Sequence, residues 1–411
     1  MKTPPVAGNG LLNRRKLLQL GSAAAASGVL APVTASEPWL TKPGIPASPY
    51  GEPSGHGRLV RERINSAPFG PEAGSSSTPL QSLNGTITPN SLHFERHHSG
   101  IPDIDPDRHQ LTIFGQVKKP LTFNLNSLLR YPMQSRILFL ECSGNSYQNT
   151  FPKPADMSAG ELNGLVSCSE WTGVPLHALL DETGLESKAS WIIAEGADAS
   201  SNNRSLPMSL ALDDAMIALY QNGEPLRGAQ GYPMRLLVPG CEGNLSIKWL
   251  RSLKVTDQPA HTREETSKYT DLLENGMARQ FSLRMEVKSV ITSPSGKMIL
   301  PEKGIYEISG LAWSGNGHIR RVEVSADGGQ SWADAALQSE PEPLRPVRFR
   351  IPWRWDGSPA VLQSRATDSK GNVQPTRSSA LTGQSPLVIY HYNGIQSWQI
   401  DDNGRVSNVY A

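Results

Sequence analysis

Cysteine is scarce in this chain, and its scarcity excludes a great deal. Only Cys142, Cys168 and Cys241 occur among 411 residues. No Cys-x-x-Cys pair is present to suggest zinc or an iron–sulfur cluster, and no Cys-x-x-Cys-His to attach a c-type haem. An odd count leaves at least one thiol unpaired even if the other two bridge. Net charge is scarce too. Lys+Arg 39 against Asp+Glu 38 leaves no basic field for nucleic acid and no acidic solvating tail. The small-residue apolar stretch at 21–31 is too short to cross a bilayer comfortably, so no membrane anchor is expected. Glycine and proline, at 37 and 33, are plentiful and favour long loops and β structure over helical bundles. The length allows about two domains plus appendages.

The first 35 residues read as an address. Asn13-Arg14-Arg15-Lys16-Leu17-Leu18 precedes the apolar stretch, and Val33-Thr34-Ala35 offers a cleavage site before Ser36. Paired arginines ahead of a weakly hydrophobic segment resemble a twin-arginine leader, although Asn13 and Leu17 depart from its usual wording. Export of an already folded protein to the periplasm is expected. Residues 36–85, rich in Pro, Gly and Ser, read as an extended arm.

From residue 86 to 275 short strands and helices mix without regular alternation, which predicts an α+β domain. Strands are expected at Leu111–Gly115, Trp191–Ala194 and Arg235–Val238, and helices over 174–184 and 208–220. Between 285 and 390 the helical signals fade. Ile305–Trp313, Ile319–Ser325, Val347–Ile351 and Val361–Thr367 read as strands, with Asp327-Gly328-Gly329 as a hairpin signal. This spacing predicts an immunoglobulin-like β-sandwich, followed by a tail at 391–411.

Arg136-Ile137-Leu138-Phe139-Leu140-Glu141-Cys142-Ser143-Gly144-Asn145 carries the chemistry. A continuous apolar run reads as a buried strand, and the thiol sits where it opens into a turn. A rigid element thus presents a reactive group. On these grounds alone Cys142 is equally a core thiol, a metal ligand or a nucleophile. His93, His97 and His98 by themselves suggest zinc, but no acidic or cysteine partner follows at helical spacing.

Taken with the Phe94-Glu95-Arg96-His97-His98 block and Gly231–Leu250, the Cys142 segment resembles the sulfite oxidase family of molybdenum enzymes. The resemblance runs from about residue 85 to about residue 395. It implies an α+β molybdopterin-binding domain followed by a sandwich dimerisation domain, with a homodimer through the sandwich. Cys142 is then the protein ligand of molybdenum held by a pyranopterin dithiolene. Phe94, Glu95, Arg96, His97 and His98 line the cofactor, and Arg96 sets a fixed charge beside the metal or the substrate. Asp198 contacts the pterin, while Gln230, Arg235, Ser246, Ile247 and Lys248 belong to the segment that holds the cofactor's phosphate. Gln230 stands where many members have histidine. Tyr269 matches a tyrosine that gates proton and electron movement. Cys168 and Cys241 match no ligand and read as core thiols or a disulfide.

Within the family the Cys142 wording is most similar to the sulfane dehydrogenase branch of bacterial sulfur-oxidising (Sox) systems. Asn393 stands where sulfite-handling members have a substrate arginine. The resemblance therefore implies oxidation of sulfane sulfur on a carrier protein, with electrons passed to a separate c-type cytochrome subunit. A periplasmic dehydrogenase of free sulfite is the alternative within the family. Two readings lie outside it: a hydrolase or transferase with Cys142 as nucleophile and His98 as base, and an exported binding protein without cofactor.

Overall fold

The strand Gln134–Glu141 organises the molecule because its second half, Leu138 to Glu141, is buried on both faces. Side chains alternate across a strand, and here the alternation divides two cores. Phe139 packs into the large cluster built on the C-terminal sandwich. Leu138 and Leu140 pack into a smaller cluster with Phe94, Trp171 and Leu237, against which Cys142 also lies. A run buried on both sides has no polar alternation, which is why it reads as continuously apolar.

The computed structural model describes residues 5–13, 37–64 and 73–411. The twin-arginine pair and the expected cleavage site lie outside them. Gln134–Glu141 edges an antiparallel sheet with Val166–Pro175, Met216–Gln221 and Glu224–Pro225, while Arg235–Leu237 pairs with Met216–Gln221. A second five-stranded sheet runs Leu121–Asn124, Gln110–Gly115, Leu250–Thr256, Trp191–Gly196 and Asn203–Pro207. The sandwich stacks Lys288–Ser293, Gly304–Trp313, Val347–Trp355 and Ala336–Leu337 against a five-stranded sheet that includes Ile319–Ser325 and Ala360–Asp368. The fold is the expected α+β domain followed by an all-β sandwich. Among the described residues no helix is long and apolar enough to cross a membrane.

Three expectations need correction. The helix over 208–220 is a helix only at Met208–Asp213, and Met216–Gln221 is a central strand. Its run Met216-Ile217-Ala218-Leu219 is buried, and a short buried run satisfies either period. Residues 391–411 are not a tail. Ser397–Ile400 and Val406–Val409 form a hairpin that extends the sandwich sheet, with Trp398 fully buried. The arm is not wholly extended either. Glu62–Ile64 and Gly74–Ser77 pair in a three-stranded sheet with Glu95–His97, where Ser75 lies opposite Arg96. Cys168 and Cys241 are both buried and unpaired, so they are core thiols rather than a bridge.

The next sandwich-facing residue after Phe139 is Glu141, whose carboxylate accepts three buried hydrogen bonds. Lys288 Nζ donates to one oxygen at 3.0 Å, Trp313 Nε1 to the other at 2.6 Å, and Asn145 Nδ2 returns to the first at 2.9 Å. Lys288 spends its remaining hydrogens on Ser146 Oγ and Tyr392 O, at 2.8 and 3.0 Å. Lys288 and Trp313 come from the sandwich, so a buried ion pair joins the domains one residue from Cys142. Removing one partner of such a pair costs about 3–5 kcal/mol, because the other charge stays buried alone. Lys288→Ala is therefore expected to lower the thermal midpoint sharply and to loosen the Cys142 turn. Lys288→Met combined with Glu141→Met should recover much of the midpoint, and calorimetry of the single and double variants checks it.

Candidate active site

The turn after Glu141 is drawn tight. Asn145 N donates to Cys142 O at 2.8 Å, Cys142 N to Leu165 O at 2.9 Å, and Leu165 N to Asn145 Oδ1 at 3.1 Å. Gly243 passes so close that a Cβ there would lie 2.9 Å from Glu141 O. The Cys142 thiol is held at the wall of a cleft shared with Arg96, His98, Asn244 and Tyr269. Burial pushes the thiol's pKa up, while the Gly144 backbone and the Arg96 guanidinium favour the thiolate.

The cleft also gathers Phe94, His97, Asp198, Gln230, Arg235 and Ser246, with Lys248 between them. Gln230 Nε2 donates to Phe94 O at 2.9 Å. Arg235 donates to Gln230 O and Ser246 O at 3.1 and 2.9 Å, and its plane lies 5.2 Å over Trp171. Lys248 Nζ donates to Arg96 O and Ala229 O, each at 3.1 Å, and meets His97 Nδ1 at 2.8 Å. Burial lowers Arg235 to about 9. Burial and the neighbouring Arg235 push Lys248 well below its ordinary value. Cations crowded this way favour an anion among them. Asp198 accepts from Ser99 Oγ at 3.2 Å and from Ser200 Oγ, so it braces its own loop.

Tyr269 is held in the left-handed region, at φ 53°, which a bulky residue adopts only under constraint. Its hydroxyl meets His98 Nε2 at 3.1 Å, its ring lies 5.3 Å from Tyr390, and Arg204 stands 5.4 Å over it. Burial, with Arg96 nearby, takes His98 down to about 3, so the ring is neutral and Nε2 can accept the phenol's proton in a hydrogen bond.

Two expected residues lie elsewhere. Ile247 is 1% exposed in the core, because alternation between Ser246 and Lys248 turns it away from the cleft. Glu95 does not line the cleft either, since its carboxylate is taken by Arg61 of the arm, with His97 at 3.4 Å. Asn393 also departs from expectation. It is buried, donates to Val287 O at 3.3 Å, and lines a neighbouring cavity with Asp271 and His391 rather than the thiol cleft. Replacing it with arginine would not by itself deliver a cation to the thiol. Among the described residues no three His, Cys, Asp or Glu side chains converge as a metal site.

Sequence reasoning missed Asn244, Trp249 and a buried chain of charges behind them. Asn244 Nδ2 donates to Ser143 Oγ at 3.2 Å and to Glu242 Oε2 at 2.8 Å. Glu242 receives Arg204 at 3.0 Å and His391 Nε2 at 3.2 Å, and His391 Nδ1 bonds Asp271 at 2.9 Å. His391 N also donates to Ser143 O at 2.7 Å. These partners come from five separated segments, so no local spacing marks them. Only the Cys241-Glu242-Gly243-Asn244 turn inside the 231–250 segment hints at them.

The fit to a cofactor can be tested on the donors. Arg235 Nε and His93 Nε2 are buried in the cleft wall without a protein partner. An unpaired buried guanidinium nitrogen beside Lys248 suits a phosphate-bearing ligand, and a lone soft sulfur suits a soft redox metal. The residues present therefore fit a molybdopterin, with Arg235 and Lys248 toward its anionic groups and Cys142 toward its metal.

An oxidoreductase molybdopterin-binding domain model matches residues 98–264, and a Mo-co oxidoreductase dimerisation domain model matches 279–392. The chain is 30% identical to mouse mitochondrial sulfite oxidase over 81% of its length and 64% of that protein. It is 32% identical to NADPH nitrate reductase of Phytophthora infestans over 68% of its length and 34% of that protein. The chain thus spans about a third to just under two thirds of these curated relatives. A crystal structure of the sulfane dehydrogenase SoxCD from Paracoccus pantotrophus superposes with a TM-score of 0.89 at 42% identity, covering 92% of this chain and 98% of that one.

The His391 clamp sets a pH dependence. Burial opposes its charge, yet the hydrogen bonds to Asp271 and Glu242 carry its pKa from 6.5 up to about 9. The folded state then holds a proton that the unfolded chain releases first, so this stabilisation is full below about pH 6.5 and lost as pH rises through about 9. His391→Gln should have a lower thermal midpoint than the parent near pH 6 and converge on it above about pH 9. Midpoints measured across that range check it.

Proposed function

Because the chain belongs to the sulfite oxidase family of molybdenum enzymes, and is a molybdopterin-dependent oxidoreductase, we propose that it oxidises sulfane sulfur carried on a partner protein. We further propose that electrons leave to a c-type cytochrome subunit, since no Cys-x-x-Cys-His occurs in the sequence. One observation carries the substrate reading. Around Cys142 the described cleft residues supply Arg96 as cation, with neutral His98, Tyr269, Asn244 and Leu140 beside it. Arg235 and Lys248 are tied to the backbone of the segment assigned to the cofactor. A free dianion needs several fixed charges, whereas a carrier-bound sulfur can draw on contacts far from the reacting atom. The 42% identity to a sulfane dehydrogenase supports the same reading.

When bound, the cofactor supplies two-electron oxidation at sulfur. The chain's own residues orient and solvate that reaction. Cys142 would be the metal's protein ligand, its turn fixed by the hydrogen-bonded Glu141 carboxylate next to it. Arg96 orients the substrate sulfur's oxygens as they accumulate. Tyr269, its pKa pushed up by burial, keeps its proton and donates it in a hydrogen bond to neutral His98, which fixes the hydroxyl at the cleft wall. The sandwich pairs two copies, and the twin-arginine leader delivers the folded protein to the periplasm.

Free sulfite forgoes charge-assisted hydrogen bonds worth about 1.5–3 kcal/mol each, so its use should be at least about tenfold poorer per missing contact. Steady-state kinetics on sulfite and on a thiol-bound sulfane carrier, with cytochrome c supplied, decide the substrate. Micromolar affinity and fast turnover with sulfite alone would assign the chain to free-sulfite dehydrogenation instead. Cys142→Ser is expected to abolish turnover while leaving the thermal midpoint near the parent's. N-terminal sequencing of periplasmic protein should begin at Ser36, and Arg14→Lys with Arg15→Lys should block its appearance there.

A further inference from the structure

The sandwich strand Val347–Trp355 has two unequal edges. One pairs along the whole strand with Gly304–Trp313. The other pairs with Ala336–Leu337 only at Phe349 and Arg350, so the stretch from Ile351 to Trp355 extends past that short partner. An edge of this kind is a ready template for an added segment. Pro352 lacks an N–H, so the stretch offers acceptors in excess of donors.

Residues 5–12 cover this stretch. They fold back with Pro5 opposite Leu12, and Leu11 forms an antiparallel bridge with Trp353. Leu12 N donates to Pro352 O at 2.9 Å, and Trp353 Nε1 donates to Asn9 O at 2.7 Å. Asn9 Nδ2 reaches Ala326 O at 2.8 Å, and Gly8 N reaches Ser331 Oγ at 2.7 Å. Leu11 and Leu12 are 0% and 2% exposed, and Leu11 joins the sandwich core. Gly10 sits at φ 89°, where a Cβ would lie 2.2 Å from Arg354 O, so no other residue fits there. Backbone pairing at an edge, two buried apolar anchors and a fixed glycine are the marks of peptide capture by strand addition.

The position of this segment in the chain gives the contact its meaning. Arg14 follows Leu12 by two residues, and both belong to the stretch assigned to the leader. We propose that the Ile351–Trp355 edge is a peptide-docking edge whose occupant before processing is the chain's own segment 5–12. Docking requires a folded sandwich, so the segment that precedes the twin arginines is held by the C-terminal domain only once that domain has formed. Removal of the leader vacates the edge. The removal step rests on the leader reading given above, and the docking step does not.

Hydrogen exchange read by mass spectrometry on the full chain tests the docking. Amides of residues 5–13 should exchange at least about tenfold slower than in Leu11→Asp/Leu12→Asp. Equal rates in the two chains overturn the proposal. A synthetic peptide of residues 5–13, added to the exported chain, should bind saturably and slow exchange of the Arg354 amide, which alternation places on the same edge as Pro352 O. The peptide carrying Leu11→Asp should bind at least about tenfold more weakly, as loss of a buried leucine anchor requires. Binding that ignores this substitution, or none at all, overturns the proposal. An Arg354 amide already protected in the exported chain without peptide would assign the edge to a second copy and overturn it as well. An exported chain that still carries residues 5–12 would overturn the removal step and the leader reading together, while the exchange comparison reports on docking by itself.

Discussion

The ion pair between Glu141 and Lys288 is the constraint on which the rest depends. It is formed at the end of a strand buried on both faces, where side-chain alternation sends Glu141 toward the sandwich and Cys142 toward the cleft. Both carboxylate oxygens and all three ammonium hydrogens of the pair have partners, through Trp313, Asn145, Ser146 and Tyr392. A buried pair adds little net stability over apolar replacements, but it tolerates only one arrangement. The thiol's place is thus set by a contact between domains, and the C-terminal sandwich helps to fix the geometry of the cleft.

Charge is managed in the same way throughout the cleft. Lys248, half-buried, gives two donors to backbone carbonyls and the buried Arg235 gives two of its own, which orders the loops that carry them. The leftover donor of Arg235 and the depressed affinity of Lys248 for its proton describe a site that is completed by an anion. Behind Asn244, the chain of Arg204, Glu242, His391 and Asp271 ties four segments around the mouth of the cleft. Tyr269, two residues before Asp271, is held in its left-handed conformation by this surround. Strain of that kind persists only where neighbours over-determine it.

Much of this was legible beforehand. Cys142 at the end of a buried strand, the Arg96-His97-His98 block and the basic polar segment ending in Lys248 all come from local wording, and the structure brings them around one cleft. The sandwich strands were legible because hydrophobic alternation and Gly-rich turns are local signals. Met216–Gln221 was not, since a short run buried on both sides carries no period. Glu95 and Ile247 sit within the matching segments but face away, and a motif does not say which way each side chain turns. Asn393 matched an expected position along the chain but faces a different cavity.

The sequence by itself determined the order of the domains, the identity of the soft ligand and the cations available to a cofactor, because these depend on residue type and short-range pattern. Tertiary structure alone decided which charges meet. Glu141 and Lys288 are 147 residues apart, and Glu242 and His391 are 149 apart. Pairing at such separations is chosen by burial, since a charge removed from water must find its partner wherever the fold supplies one.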